Sequence, residues 1–283
     1  MNVLKEEVSL ASEGHPEPLV RSSSIVCDQS VKHRINSRLP SNGELILDRE
    51  PGGIVKLSIL MPVYNEQDRV SEAIKQALAV TYPCEIELIV INDGSKDATG
   101  EILSRVDDER VRVFTHPRNR GKGAAIRTGV NQAAGDYMVI LDADLEYDPE
   151  DIPKLLEPVL DGRADVVYGN RTFGSHSAFS FWYVMGNRAV TTAANVMFNC
   201  YISDLETCFK LMPVELYRSL DIRSQGFGME AEVTGKLLRR GIRPYEVPIS
   251  YRARTREEGK KITWRDGVEA LWILARERVR SVR

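Results

Sequence analysis

Cysteine is scarce in this sequence: four residues in 283, at 27, 84, 200 and 208, with no C-x-x-C pair among them. That excludes a zinc ribbon and a disulfide framework and suits a reduced compartment. Long apolar runs are missing too, and no stretch approaches the roughly twenty residues of a membrane-spanning helix. The amino terminus, Met1-Asn-Val-Leu-Lys-Glu-Glu, lacks the basic-then-apolar pattern of a signal peptide. Neither sign of charge dominates, and a net charge of −3 argues against a general nucleic-acid binder. The histidines, His15, His33, His116 and His176, form no cluster and are given no role. There is no Walker A loop. Gly121-x-Gly123 has Ile126 where a dinucleotide fingerprint needs its third glycine. Hydride transfer and ATP hydrolysis therefore lose their usual support.

The composition that remains, 42% hydrophobic and 28% charged, is ordinary for a soluble globular chain long enough for one large α/β domain. Residues 1–53 show no sustained periodicity and are expected to be a disordered or weakly ordered extension, ending at Pro51-Gly-Gly53. From Leu57 the pattern alternates. Strands are expected at 57–61, 86–91, 111–115, 137–141 and 164–168. Helices are expected from Val70, from a cap at Asp97, over 123–134, and from Pro149. This is the signature of a mostly parallel sheet with helices on both faces.

In such sheets ligands bind beyond the carboxyl ends of the strands. Polar residues collect there: Pro62-Val-Tyr64-Asn65-Glu66, Asn92-Asp93-Gly94-Ser95, Asp142-Ala-Asp144, and Gly169-Asn-Arg171. Asp142 and Asp144, with Glu146, supply hard oxygen donors for a divalent cation such as Mg2+ or Mn2+, which often shares its ligands with a substrate phosphate. Asp93 is placed to hydrogen-bond a base or ribose, and Arg118, Arg120 and Lys122 add positive charge. Together they suggest a nucleotide-diphosphate ligand.

The second half is less regular. A helix is expected over 179–198, its apolar pattern broken by Asn187 and Arg188, and a strand over 207–212, stopped by Pro213. A further helix is expected over 229–240, ended by Gly241, followed by an extended edge segment at 242–251. Phe179, Phe181 and Trp182 are equally core or lipid-facing by pattern. Glu230 and Glu232 could be a solvated helix face. Trp264, Val268, Leu271, Trp272, Ala275 and Val279 form a terminal helical stripe.

In order, Pro62-Val-Tyr-Asn-Glu66, Ile91-Asn-Asp-Gly-Ser95, Asn119-Arg-Gly-Lys-Gly123, Asp142-Ala-Asp144 and Gly169-Asn-Arg171 resemble family-2 glycosyltransferases, and within them the dolichyl- and polyprenyl-phosphate sugar synthases. Agreement extends through Gly241-Ile-Arg-Pro-Tyr-Glu-Val-Pro-Ile-Ser250 and Glu258-Gly-Lys-Lys-Ile262. The resemblance implies a GT-A fold, a nucleotide-sugar donor, a divalent metal, inversion at the anomeric carbon and a polyprenyl-phosphate acceptor. It implies donor contacts at Pro62, Tyr64, Glu66, Ile91, Asp93, Lys122, Asp142 and Ala143. Asp144, Glu146 and Asp142 would serve the metal. Arg171 and Arg188 would receive the lipid phosphate. Arg254, or Arg256 in its place, with Lys260 and Lys261, would clamp the diphosphate. Ser203-Asp-Leu-Glu-Thr-Cys208 departs from the mannosyl-type pattern. If the acceptor is a soluble or polymeric hydroxyl, Asp204 and Glu206 are the candidate bases. A sugar-phosphate nucleotidyltransferase is the remaining alternative, weakened by the absence of a Gly-rich basic loop after the first strand.

The expected layout is a GT-A domain at 54–283, divided into a donor half (54–170), an acceptor half (171–262) and a basic amphipathic helix (263–283). The stripe, with Arg276, Arg278, Arg280 and Arg283, suggests a cytoplasmic protein held peripherally on a membrane surface, the tryptophan-bearing face lying on lipid; the alternative is a docked terminal helix, and the two are compatible if the stripe packs on the domain while the arginines face lipid. A membrane partner protein is the alternative anchor.

Overall fold

The computed structural model describes residues 37–38, 46–47, 56–172, 174, 181–253 and 264–280. Most of the 1–53 extension, Phe179, the Arg254, Arg256, Lys260 and Lys261 motif, and Arg283 lie outside the described residues. A short ribbon pairs β1 (Ser37–Arg38) with β2 (Ile46–Leu47) antiparallel.

A seven-stranded sheet carries the rest, in the order β5-β4-β3-β6-β8-β7-β9. Its strands are β3 (Lys56–Val63), β4 (Glu85–Asn92), β5 (Val111–Thr115), β6 (Tyr137–Ile140), β7 (Val167–Asn170), β8 (Lys210–Pro213) and β9 (Tyr245–Pro248). β8 alone runs antiparallel to its neighbours, β6 and β7; the other pairings are parallel. The central strands are buried on both faces, as their unbroken apolar runs dictate.

Helices cover the sheet. In α1 (Val70–Ala79) the buried residues Val70, Ala73, Ile74 and Ala77 recur at helical spacing. α2 (Thr99–Leu103) stops sooner than the pattern suggests, and Asp97 Oδ1 accepts from the Thr99 N–H at its start. α3 (Lys122–Gln132) begins at Gly121, whose φ of 90° no side-chain-bearing residue adopts easily. A Cβ there would also lie 2.4 Å from the Gln225 carbonyl oxygen. A 3-10 turn at Pro149–Asp151 leads into α4 (Ile152–Leu160).

α5 (Phe181–Phe198) runs unbroken through Asn187 and Arg188. A short α6 (Val214–Ser219) follows β8. α7 (Met229–Arg239) ends in a Schellman arrangement: Ile242 N–H reaches Leu237 O, and Gly241 N–H, at φ 77°, reaches Leu238 O. β9 takes the edge, where Pro244 and Pro248 disturb no inner ladder.

α8 (Trp264–Val279) corrects one expectation. It buries Ala270, Ile273, Leu274 and Glu277, while Trp264, Val268, Trp272 and Val279 are exposed. The packed face is offset from the stripe because Glu277 is drawn inward by Arg239, at 2.8 Å, and by Arg276 and Arg280. Trp264, Val268, Trp272 and Val279 thus point outward, while Leu271 of the stripe packs on the domain; Phe181, Trp182 and Met185 of α5 are exposed as well. No helix among the described residues is long and apolar enough to cross a membrane.

Candidate active site

A cavity of about 360 Å3 opens at the carboxyl ends of β3, β4 and β6. The loops after β3 and β4 are stitched together at one end of it. Asn65, itself at φ 54°, accepts from the Lys96 N–H at 2.8 Å, and its own N–H reaches Ser95 Oγ at 3.0 Å. Pro62, Tyr64, Glu66 and Asp93 line this end, as expected for donor contacts. Ile91 does not. It has no exposure, and its side chain would be 2.8 Å from a Cβ placed on Gly129, so it packs under α3. β4 is buried on both faces up to its last residue, so Ile91 lies in the core whichever way it points.

Asp93 also organises the loop opposite it. Its carboxylate accepts the backbone N–H groups of Arg120 (3.0 Å) and Gly121 (2.7 Å) and meets His116 Nδ1 at 2.6 Å. This fixes the 119–121 loop that starts α3. His116, given no role by its sequence isolation, is thus part of the site's frame. Only its three-dimensional place, buried beside β4, reveals it.

The Asp142–Glu146 loop forms the cavity's middle. Leu145 sits at φ 61° between Asp144 and Glu146. A branched side chain in the left-handed region stores on the order of 1–3 kcal/mol of strain, typical of a functional turn. Asp144 Oδ1 accepts from the Glu146 N–H at 3.1 Å, and the Tyr251 hydroxyl donates to Glu146 Oε2.

Asp142 departs from the expected metal trio. Its Oδ2 is 2.9 Å from Lys122 Nζ and 2.8 Å from Cys208 Sγ. Among the described residues no three Asp, Glu, His or Cys side chains converge to hold a metal ion. The nearby ammonium claims Asp142, leaving Asp144 and Glu146 as protein donors. Two hard carboxylates on a cavity wall still fit a cation of the Mg2+ or Mn2+ type, which commonly fills its remaining positions with diphosphate oxygens and water.

Two half-buried cations flank this loop. Lys122 touches Asp142, Cys208 Sγ (2.7 Å) and Glu230 (3.0 Å). Burial disfavours its charge, yet Asp142, Cys208 and Glu230 overcome that and hold its pKa well above the ordinary value. On the other flank Arg171 makes a bidentate pair with Asp204 through Nε (2.6 Å) and Nη2 (2.8 Å). Its Nη1 reaches Tyr147 Oη at 3.3 Å, and its guanidinium lies 5.0 Å from the Tyr251 ring centre. Burial again opposes the charge, and Asp204 outweighs it. Of the five guanidinium N–H donors, two remain for a ligand.

Arg188 does not join Arg171. It is exposed on α5 and does not line the cavity, whereas its neighbour Asn187 donates to Asp204 Oδ1 at 2.9 Å. Glu230 and Glu232 are not a solvated face: both are buried, and Glu232 accepts the N–H groups of Arg223 and Ser224 and pairs with Lys236. Cys208, Glu230, Tyr147 and Tyr251 all line the cavity without having been singled out for it. Their signal in the sequence was weak, since each depends on long-range pairing.

Residues 58–221 match the profile of glycosyl transferase family 2. The chain belongs to that family. Its GT-A fold agrees with glucosyl-3-phosphoglycerate synthase from Mycobacterium tuberculosis, solved with Mn2+, UDP and glucosyl-3-phosphoglycerate (TM-score 0.60, 21% identity, 80% of each chain). The same synthase has been solved with Mg2+ and UDP (TM-score 0.56, 22% identity, 73% of this chain and 74% of that one). Among curated family relatives, the chain is 28% identical over 221 residues to the low-salt glycan biosynthesis hexosyltransferase Agl6 of Haloferax volcanii (77% of this chain, 52% of that one). It is 27% identical over 213 residues to the dolichol-phosphate mannosyltransferase of Pyrococcus furiosus (73% and 59%). It is 38% identical over 138 residues to the undecaprenyl-phosphate 4-deoxy-4-formamido-L-arabinose transferase of Pseudomonas fluorescens (47% and 40%). The chain spans less than two thirds of the length of each of these three relatives.

Proposed function

We propose that this protein transfers a sugar, with inversion, from a nucleotide-diphosphate sugar to a polyprenyl phosphate. One observation carries the reading: Lys122 and Arg171, two half-buried and pre-oriented cations, flank the Asp142–Glu146 loop within a single cavity. Cleaving a sugar diphosphate leaves charge on the departing phosphate, and the acceptor phosphate brings more. A cation on each side answers both needs. A phosphate acceptor is already anionic and needs no general base. Asp204, one candidate base for a hydroxyl acceptor, is committed to Arg171, which keeps its pKa low against the effect of burial. The names of two relatives, a dolichol-phosphate mannosyltransferase and an undecaprenyl-phosphate transferase, support the same acceptor class.

In this reading Asp144 and Glu146 hold Mg2+ or Mn2+, which neutralises the leaving diphosphate when bound. Pro62, Tyr64, Glu66 and Asp93 take the nucleoside, with Lys122, Asp142 and Ala143 near the diphosphate. Arg171 receives the acceptor phosphate, and Arg254, Lys260 and Lys261 close over the diphosphate. Residues 54–170 then act as the donor half, 171–262 as the acceptor half and 263–283 as the terminal helix. We place the protein peripherally on the cytoplasmic face of a membrane. The exposed Trp264, Val268 and Trp272 of α8 and Phe181, Trp182 and Met185 of α5 would enter the headgroup region.

The test is transfer from a panel of UDP- and GDP-sugars to a short polyprenyl phosphate with Mg2+ or Mn2+. A lipid-linked sugar product that disappears in EDTA is expected. Transfer to soluble hydroxyl acceptors with none to the lipid phosphate would overturn the acceptor assignment. Anionic vesicles should sediment the protein at low salt, and Trp272→Ala with Trp264→Ala should weaken that binding.

A further inference from the structure

The reaction proposed above needs the anomeric carbon to lie between the departing diphosphate and the incoming acceptor phosphate. The sugar must then lie between the Lys122 flank and the Arg171 flank. One short segment joins those flanks. Asp204 holds Arg171. Tyr147 Oη, which Arg171 approaches at 3.3 Å, also accepts the Cys208 N–H at 3.0 Å. Cys208 Sγ reaches both Asp142 and Lys122. The wall facing the sugar is therefore the part of residues 204–208 that lines the cavity, Glu206 and Cys208, together with Glu230 from α7 beside Lys122.

Both of these glutamates line the cavity. Glu230 is 5% exposed and gives one oxygen to Lys122, while its Oε2 has no hydrogen-bond partner. The Glu206 carboxyl makes no hydrogen bond among the described residues, and burial raises its pKa, helped by Glu230 and Asp204 against Arg171. A buried acceptor without a donor, as Glu230 Oε2 is, is costly and ordinarily finds a partner, while the half-buried Glu206 offers its carboxyl to the cavity. A pyranose offers several hydroxyl donors at this distance scale. A sugar bearing its own carboxylate would instead face the carboxylates of Glu206, Glu230 and Asp142, while Lys122 and Arg171 are placed to meet the two phosphates of the reaction.

Resting on the transferase reading, we infer that Glu206 and Glu230 form the sugar-recognition wall, selecting an uncharged pyranose through its hydroxyls and rejecting a hexuronate. The discrimination resides in the donor sugar and leaves the nucleotide untouched.

The experiment measures binding to the full chain with Mn2+ by calorimetry. The probes are UDP, UDP-glucose and UDP-glucuronate, and in parallel GDP, GDP-mannose and GDP-mannuronate. The neutral sugar nucleotide should bind at least ten-fold more tightly than its uronate counterpart. Glu206→Gln, and Glu206→Gln with Glu230→Gln, should narrow that ratio to about three-fold or less, while binding of the bare nucleotide stays within two-fold in Glu206→Gln. Equal binding of neutral and uronate donors by the unmodified chain would overturn the inference. So would an unchanged ratio in the variants, including the case where Glu206→Gln lowers only turnover on a hydroxyl acceptor, as a general base would. Bare nucleotide binding with no sugar discrimination sinks this inference alone; absence of both UDP and GDP binding overturns the transferase reading and this inference with it.

Discussion

On the donor side of the cavity each polar group follows directly from the end of a strand. Pro62 and Tyr64 leave β3, Asp93 leaves β4, and Asp142 to Glu146 leave β6. On the side that we assign to the acceptor nothing is so local. Arg171 leaves β7, but it is aimed by Asp204, 33 residues further on, and by Tyr147, 24 residues back. The donor side is positioned by the parallel sheet itself, whose strand ends converge wherever such a sheet forms. The acceptor side is positioned by an ion pair and two aromatic rings, and can be loosened without touching the sheet.

Removing Asp144 strikes the donor side and should give the largest effect. Asp144→Ala should lower transfer by roughly a thousand-fold or more, since metal-assisted stabilisation of a leaving phosphate is worth several kcal/mol. Asp144 lies on a loop outside the packed strands, so the melting temperature should hold within a few degrees. Near-normal transfer, or full activity in EDTA, would sink the metal-assisted mechanism.

The acceptor side breaks differently. Asp204→Ala leaves the Arg171 guanidinium buried without its counter-ion, and losing one partner of such a pair costs about 4 kcal/mol. In a domain of this size that is a fall in Tm of roughly 10 °C. The KM for polyprenyl phosphate should rise about ten-fold or more, with nucleotide affinity nearly unchanged. A variant that loses nucleotide and lipid affinity equally would show that the two sides are not independent.

The contrast also explains what could be read from the residues alone. Alternating apolar runs revealed β3, α1, β4, β5 and β6, and the loop acids after them, because periodicity and strand-end position are local properties. Ile91 sits inside a matching motif yet has no exposure and does not line the cavity, because β4 is buried on both faces up to its last residue, while Asp93 lies just beyond the strand end and lines it. The Lys122–Glu230 pair joins residues more than a hundred positions apart, and no spacing rule links them. The terminal helix was read by its most apolar stripe, but a charged residue, Glu277, chose its packed face. Buried charge is decided by partners from elsewhere in the fold, which a one-dimensional pattern does not carry.

Beneath the acceptor wall, Lys210 gives a pH test of the same asymmetry. It has no exposure, and its ammonium donates to the carbonyls of Leu205 (2.9 Å) and Thr207, bracing the 204–208 segment. Burial lowers its pKa from 10.5 to about 8, against the pull of Glu230. Between these values the unfolded chain holds a proton that the folded chain has released, so stability rises with pH. The cost of the buried charge is fully present below pH 8 and is relieved towards 10.5. A shift of this size corresponds to on the order of 3 kcal/mol. The stability of the unmodified protein minus that of Lys210→Met, from urea midpoints at pH 7 and pH 10, should increase by a large part of that amount. A difference that stays flat would mean that Lys210 is not buried as a cation.

His116 tests the donor side's dependence on a single side chain, with the smallest expected effect. Its Nδ1 faces Asp93 at 2.6 Å and its Nε2 faces Thr128 Oγ1 at 2.9 Å. Thr128 Oγ1 also lies 3.2 Å from the Ala124 carbonyl, which ties the ring to α3. Asp93 Oδ1 accepts the Nδ1–H of the ring. Asp93 keeps two backbone N–H bonds when the ring is removed, so the carboxylate should shift without being expelled. Losing a charged hydrogen bond of this kind is worth about 1.5 kcal/mol, or roughly ten-fold in affinity. His116→Ala should therefore weaken UDP or GDP binding about ten-fold and leave the KM for lipid phosphate alone. His116→Gln retains an amide donor for Asp93 and should recover part of the loss. If both variants bind nucleotide normally, the 119–121 backbone alone holds Asp93 in place, and the donor side owes its geometry to the sheet and its loops without help from a side chain.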